Sequence, residues 1–236
     1  MRGHVDFDDF ADDYDRTLNQ GLAFSGENKD FYARARMDWV ADVLGGLGVR
    51  PRRAIDFGCG TGPSVPLLLD VLGVETALGV DVSQRSIDVA KRLHTHARAS
   101  FLTLAEHTPN GDVDLAFCNG VFHHIPPAER AGAAEHVWRS LVPGGLWAFW
   151  ENNPLNPGTQ WLMHRLPFDR DAVKISPFGA RRLLRAAGFE IVRTDHLFWF
   201  PKALSALRPL ERHLAPLPFG AQYVVIARKP LAHSAS

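Results

Sequence analysis

A chain of 236 residues that is 46% hydrophobic carries enough apolar mass for one large domain, or one domain with an elaborated lid. Lys plus Arg and Asp plus Glu both number 26, so the formal net charge is zero and no basic stripe marks a nucleic-acid surface. The two cysteines make no disulfide framework, the 11 histidines show no metal-ligand spacing, and no run of about 18 apolar residues spans a membrane. The opening Met1-Arg2-Gly3-His4-Val5-Asp6 lacks the apolar core of a signal peptide, so the expectation is a reduced, cytoplasmic protein without metal.

Along the chain, residues 8–44 read as helices. Phe10, Tyr14 and Leu18 recur at helical spacing, as do Phe31, Ala35, Trp39 and Val43, with Ser25 or Asn28 as N-cap between them. Past Gly45-Gly46-Leu47-Gly48, strands and helices alternate: strand 53–58, helix 64–72, strand 76–81, helix 84–97, strands 99–104 and 113–118, helix 127–141, strand 145–151. A helix is expected over 155–165, another opens at Ser176-Pro177 and runs through Ala186, and β-rich runs Glu190–Phe200 and Gln222–Arg228 flank a proline-punctuated segment, 201–220. Repeated alternation argues a parallel sheet with helices on both faces.

The stretch Asp56-Phe57-Gly58-Cys59-Gly60-Thr61-Gly62-Pro63 joins an apolar strand to a helix start, the place where backbone N–H groups face a ligand. Asp81 ends the next apolar run, where a carboxylate can accept both hydroxyls of a ribose. A dinucleotide fingerprint would need a third glycine where Pro63 stands, so that reading fails. An acidic residue two before the first glycine would repel a pyrophosphate and suits an ammonium.

At these residues the chain resembles the class I S-adenosylmethionine-dependent methyltransferases, in their small-molecule branch. The resemblance runs from about Phe7 to Lys229. It includes Asp114-Leu115-Ala116-Phe117-Cys118-Asn119-Gly120-Val121-Phe122-His123-His124-Ile125 as the fourth strand and its loop, and Leu141-Val142-Pro143-Gly144-Gly145-Leu146 as the turn into the fifth. Phe7-Asp8-Asp9-Phe10-Ala11, followed by Tyr14-Asp15, resembles the branch's N-terminal lid. The resemblance implies an α/β, Rossmann-like, doubly wound fold: a mainly parallel seven-strand sheet, a helical lid over 1–48, and a cofactor domain over 49–230 with substrate-lid insertions around 152–175 and 201–220. The implied cofactor is S-adenosyl-L-methionine, contacted by Asp56, Gly58, Cys59, Gly60, Gly62, Asp81, Val82, Asn119 and Tyr14. One departure stands out: many relatives carry Asp before Ala-Glu to accept the adenine amine, and here Leu104 precedes Ala105-Glu106, which leaves Glu106 or backbone carbonyls for that contact.

Methyl transfer from a sulfonium is an in-line displacement that needs alignment above all, and a base where the acceptor is a hydroxyl or an ammonium. His124 is the first choice, because an unperturbed imidazole titrates near neutral pH; His123 is the alternative and Glu151 the competitor. Asn152, Asn153, Tyr32 and Arg170 are the substrate candidates. The acceptor is expected to be a small molecule, with hydroxyl oxygen favoured over nitrogen or carbon. The rival reading is an enzyme that consumes S-adenosylmethionine by intramolecular cyclisation, releasing methylthioadenosine. No nucleic-acid partner is expected, and the oligomeric state is left open. The aromatic, leucine-rich and mildly basic stretch 197–219 reads first as a helix covering the sheet, and otherwise as an apolar lid or a peripheral bilayer contact.

Overall fold

Strand, turn and helix alternate through the computed structural model, which describes residues 25–165 and 172–231. The helix expected through Phe10, Tyr14 and Leu18, and with it the lid motif, lies outside them. All seven strands belong to one sheet, mainly parallel, the Rossmann-like arrangement that the alternation implied. By internal contacts the described residues form two units, 25–107 and, for the most part, 108–163 with 172–231.

The first unit begins with helix α1 (Lys29–Gly46), whose N-cap Asn28 accepts from the Phe31 N–H at 2.9 Å. Its inner stripe buries Met37, Val40, Val43 and Leu44 and, less usually, Arg36. Strand β1 (Arg53–Phe57) pairs in parallel with β2 (Thr76–Asp81), and β2 with β3 (Ala99–Thr103). Helix α2 (Ser64–Val71) buries Val65, Leu68 and Leu69. Helix α3 (Gln84–Leu93) is capped by Ser83, whose hydroxyl accepts from Ser86 N–H at 3.0 Å. It ends four residues before the expected 97. His94 leaves the helical region at ψ 79°, its ring lies against Phe101 at 5.9 Å, and its Nε2 sits 3.1 Å from the Thr61 carbonyl.

In the second unit β4 (Val113–Asn119) runs parallel to β5 (Leu141–Asn152), and β7 (Gln222–Arg228) runs antiparallel to both β5 and β6 (Glu190–Leu197). Helix α4 (Arg130–Ser140) is shorter than expected and β5 longer, because Leu141 already pairs with Val113 before the register shifts at Leu115. Helix α5 (Pro157–Arg165) follows, then α6 (Pro177–Ala186), where Ser176 accepts from the Gly179 N–H as the serine–proline signal implied. Strand β6 stops at Leu197, three residues early, since Phe198 has φ 62° and cannot continue a ladder. The segment 201–220 holds a 3-10 helix (Lys202–Leu210) and one turn, α7 (Glu211–Leu214). Phe122, Trp147 and Phe149, all fully buried, form an aromatic core with centroids 4.8 to 5.6 Å apart. Among the described residues no helix is long and apolar enough to cross a membrane.

Candidate functional site

The glycine loop leaves β1 in a conformation that other residues adopt only under strain: Gly58, Gly60 and Gly62 have φ of 74°, 53° and 82°. Gly58 N–H and Cys59 N–H both donate to the Val80 carbonyl, at 2.8 and 3.0 Å, which draws the loop against the end of β2. There the Asp81 carboxylate accepts from Gly60 N–H at 2.8 Å and from Ser83 N–H at 2.9 Å. One oxygen is used by each bond, which fixes the carboxylate in place. A Cβ on Gly60 would meet nothing within 4 Å, whereas one on Gly62 would lie 2.7 Å from Phe101 Cε1 and 2.9 Å from His94 Cδ2. The loop therefore presents open backbone at Gly60 and packed backbone at Gly62. Val82, next to Asp81, is an apolar side chain 70% exposed. These features fit an adenosyl group: a fixed carboxylate at the end of β2, an exposed apolar side chain beside it, and open space at Gly60.

Asp56 is buried, and its carboxyl is pushed up to about 8 by that burial and by the negative Asp81, against the pull of Arg36. Sequence reading missed Arg36, although a guanidinium on the apolar stripe of an amphipathic helix is a signal for a buried acidic partner. Burial and the same two carboxylates push the Cys59 thiol well up, and its Sγ occupies the space that a Cβ on Gly79 would need. Glu106 accepts from both Thr103 N–H and Thr103 Oγ1 at 2.9 Å, bonds that hold its carboxyl below the usual range. Tyr32, on α1, is half-buried and edge-on to Phe31 at 5.3 Å. Tyr14 and Arg170 lie outside the described residues.

The second unit assembles a different cluster. Glu151, near the end of β5 and 1% exposed, accepts from Phe122 N–H at 2.7 Å and His123 N–H at 3.3 Å, and its other oxygen lies 2.6 Å from His123 Nδ1. With Nδ1 donating to a carboxylate, the lone pair of His123 resides on Nε2. The His124 ring stands 4.0 Å from that of His123, and burial together with the charge of His123 pushes it down to about 2. The expectation took His124 as an unperturbed imidazole, and burial removes that premise.

Asn119 ends β4 with a buried Oδ1 that has no hydrogen-bond partner, an acceptor in need of a donor. Asn152 Oδ1 accepts from Gln222 Nε2 at 3.0 Å. Asn153 is fully buried, donates through Nδ2 to the carbonyls of Pro218 and Gly220 at 3.0 and 2.8 Å, and accepts from Leu155 N–H. Both of its amide donors are used in this way, so it clamps the return of 218–220. Arg130, which sequence reading passed over, donates to the carbonyls of Ile125 and Val173, while Val173 N–H donates to the His123 carbonyl at 3.0 Å. Tyr223, likewise unforeseen, donates its hydroxyl to Ile175 at 2.9 Å. Together they pin residues 173–175 to the loop that carries His123.

Comparison with known proteins bears on both clusters. Residues 54–145 match a family described as a methyltransferase domain. Trans-aconitate 2-methyltransferase of Methylobacterium nodulans is 30% identical over 157 residues, 66% of this chain and 58% of that protein. The chain thus spans little more than half the length of that relative. Among solved structures, a methyltransferase of Thermotoga maritima superposes with a TM-score of 0.64 at 21% identity, over 94% of this chain and 97% of that one. The methyltransferase in a complex with the Haloferax volcanii Trm112 activator gives 0.64 at 20% identity, over 98% of both chains. The matched domain holds the glycine loop, Asp81, Asn119 and both adjacent histidines, and the fold of these neighbours is the fold seen here. Residues 54–145 thus carry a methyltransferase domain, and these likenesses together support a class I S-adenosylmethionine-dependent methyltransferase with S-adenosyl-L-methionine as its cofactor.

Proposed function

We propose that this protein transfers the methyl group of S-adenosylmethionine to an oxygen atom of a small-molecule acceptor, with His123 as the proton acceptor and Glu151 as the residue that orients it. The observation that carries this reading is the buried 2.6 Å bond from Glu151 to His123 Nδ1, which leaves Nε2 as the basic nitrogen. The cofactor supplies an electrophilic methyl carbon on a sulfonium. Every other requirement falls on the chain: Asp81 to hold the ribose hydroxyls, Val82 to back the adenine, Asp56 to receive the ammonium, and the glycine backbone to admit it closely. Positioning of this kind can supply roughly 7–11 kcal/mol of a barrier, and a general base typically about 10²–10⁴-fold in rate. The Methylobacterium relative is named for a small acid, trans-aconitate. That supports a small oxygen-bearing acceptor, and supports methyl transfer over cyclisation of the cofactor.

The test is mass spectrometry of the purified protein with S-adenosylmethionine alone, then with alcohols, phenols, acids including trans-aconitate, and amines. S-adenosylhomocysteine is expected only with an oxygen-bearing class. Methylthioadenosine without acceptor would overturn methyl transfer, and turnover with amines alone would overturn the acceptor atom. With a hydroxyl acceptor, His123→Asn is expected to lower kcat about 100-fold or more while the KM for cofactor stays put; an unchanged kcat removes His123 as base.

A further inference from the structure

The 3-10 helix Lys202–Leu210 buries none of its nine residues. Leu204, Leu207 and Leu210 recur at three-residue spacing, the period that stacks side chains in one row of such a helix, and they are 47%, 40% and 49% exposed. The backbone kinks at Leu204, so the strict row is Leu207 over Leu210. Leu217 and Phe219 extend the apolar surface on the return, at 47% and 58% exposure.

Ordering such a segment is not repaid by burial; polar bonds at its two ends hold it instead. The Glu211 carboxylate accepts from the consecutive N–H groups of Phe198, Trp199 and Phe200 at 3.1, 3.1 and 3.2 Å. That closure needs the left-handed φ of 62° at Phe198, a strained backbone for an aromatic residue. On the return strand side, Asn153 holds the carbonyls of Pro218 and Gly220, and Asn156 Nδ2 donates to Phe219 at 2.7 Å. Polar backbone is turned inward and apolar side chains outward.

The charges follow the same division. Lys202 and Arg212 are exposed cations of 201–220, Arg208 is half-buried and donates through Nε to the Phe200 carbonyl at 3.4 Å, and Glu211, the segment's sole acidic residue, faces backbone N–H groups. In a chain of zero formal net charge this surface is leucine, phenylalanine and positive charge. We propose that residues 202–219 dock the protein peripherally on an anionic lipid bilayer, with Leu207, Leu210, Leu217 and Phe219 entering the headgroup boundary and Lys202 and Arg212 facing lipid phosphates. The proposal stands on this surface alone and is independent of the chemistry proposed above.

The experiment is co-sedimentation of the full chain with vesicles of mixed phosphatidylcholine and phosphatidylglycerol, and with phosphatidylcholine alone, at low and high salt. Binding is expected on the anionic vesicles and is expected to weaken with salt. Lys202→Glu with Arg212→Glu should lower it more than about 20-fold, from about fivefold per basic residue, and Leu207→Asp with Leu210→Asp should abolish it. Both pairs lie on exposed positions, and unchanged circular dichroism and melting would show that they fold. Failure of the folded wild-type protein to sediment with anionic vesicles overturns the proposal, as does equal binding by the leucine variant. A dimer by light scattering that the leucine variant splits, without vesicle binding, would assign the surface to a second copy and overturn it too.

Discussion

The glycine loop and the His123–Glu151 cluster are built on opposite plans. The loop is shaped by main chain: three positive-φ glycines within five residues bring N–H groups onto the Val80 and Cys59 carbonyls, and the carboxylate beside them, Asp81, bonds to backbone. In the cluster, side chains 28 residues apart meet in a buried bond, and a third segment is pinned over them by Arg130 and Tyr223. A backbone site tolerates little change in shape at its own positions; a side-chain site depends on partners that sequence distance hides. The two should therefore fail differently when perturbed.

The largest effect is expected where loop shape and packing coincide. Gly62→Ala adds a Cβ 2.7 Å from Phe101 and 2.9 Å from His94 at φ 82°. Left-handed strain of about 1–2 kcal/mol and overpacking of about 1–3 kcal/mol combine to roughly 3 kcal/mol of lost stability by urea unfolding. Gly60→Ala has the same strain with an open Cβ, so about 1–2 kcal/mol is expected. Equal losses at the two positions would mean that Phe101 and His94 give way freely, and that the loop is less rigid than its packing implies.

The cluster should respond to charge rather than shape. Glu151→Gln keeps the side-chain volume and one carbonyl acceptor, but removes the ionic partner of His123. About 2 kcal/mol of stability should go with it, as for other buried bonds to charged groups. In a double-mutant cycle with His123→Asn the two losses should be less than additive by about 1 kcal/mol or more. Additive losses would show that Glu151 serves the Phe122 and His123 N–H groups and not the imidazole.

This contrast also explains how much was legible beforehand. β2, β7 and α6 were read with their observed bounds because their signals are local: Asp81-Val82-Ser83 closes a strand and opens a helix, Ser176-Pro177 starts one, and a β-rich run sits between breakers. The positive-φ turn was equally legible from its alternating glycines. β5 was read as starting four residues late and ending one early; Val142-Pro143-Gly144-Gly145 looks like a turn, and only pairing with Val113 draws Leu141 into the sheet. The 3-10 helix at 202–210 was hidden by Pro201 and Pro209, which rule out a long α-helix but sit comfortably in tight turns. The environment of His124 could not be read at all, since its depression comes from burial and from a neighbour whose own partner lies far along the chain. The same holds for Asn153, whose bonds reach 65 and 67 residues ahead.

A further effect ties the backbone site to its charge. Asp56 has an ordinary value of 3.8 and titrates at about 8 in the folded chain. Between those values the native state binds a proton that the unfolded state has released, so this group's contribution to stability is full below about pH 4 and is lost as pH rises towards 8. A cofactor ammonium near Asp56 would favour the carboxylate and expel that proton. Cofactor affinity should then rise with pH, by at most about tenfold per unit, below about pH 7 where an α-ammonium stays charged. Calorimetric titration in two buffers of different ionisation enthalpy should detect about one proton released near pH 7. Asp56→Asn should remove both the proton release and the pH dependence while leaving the Asp81 bonds to Gly60 and Ser83 in place. Flat affinity and no proton release in the wild-type protein would mean that the ammonium is received elsewhere.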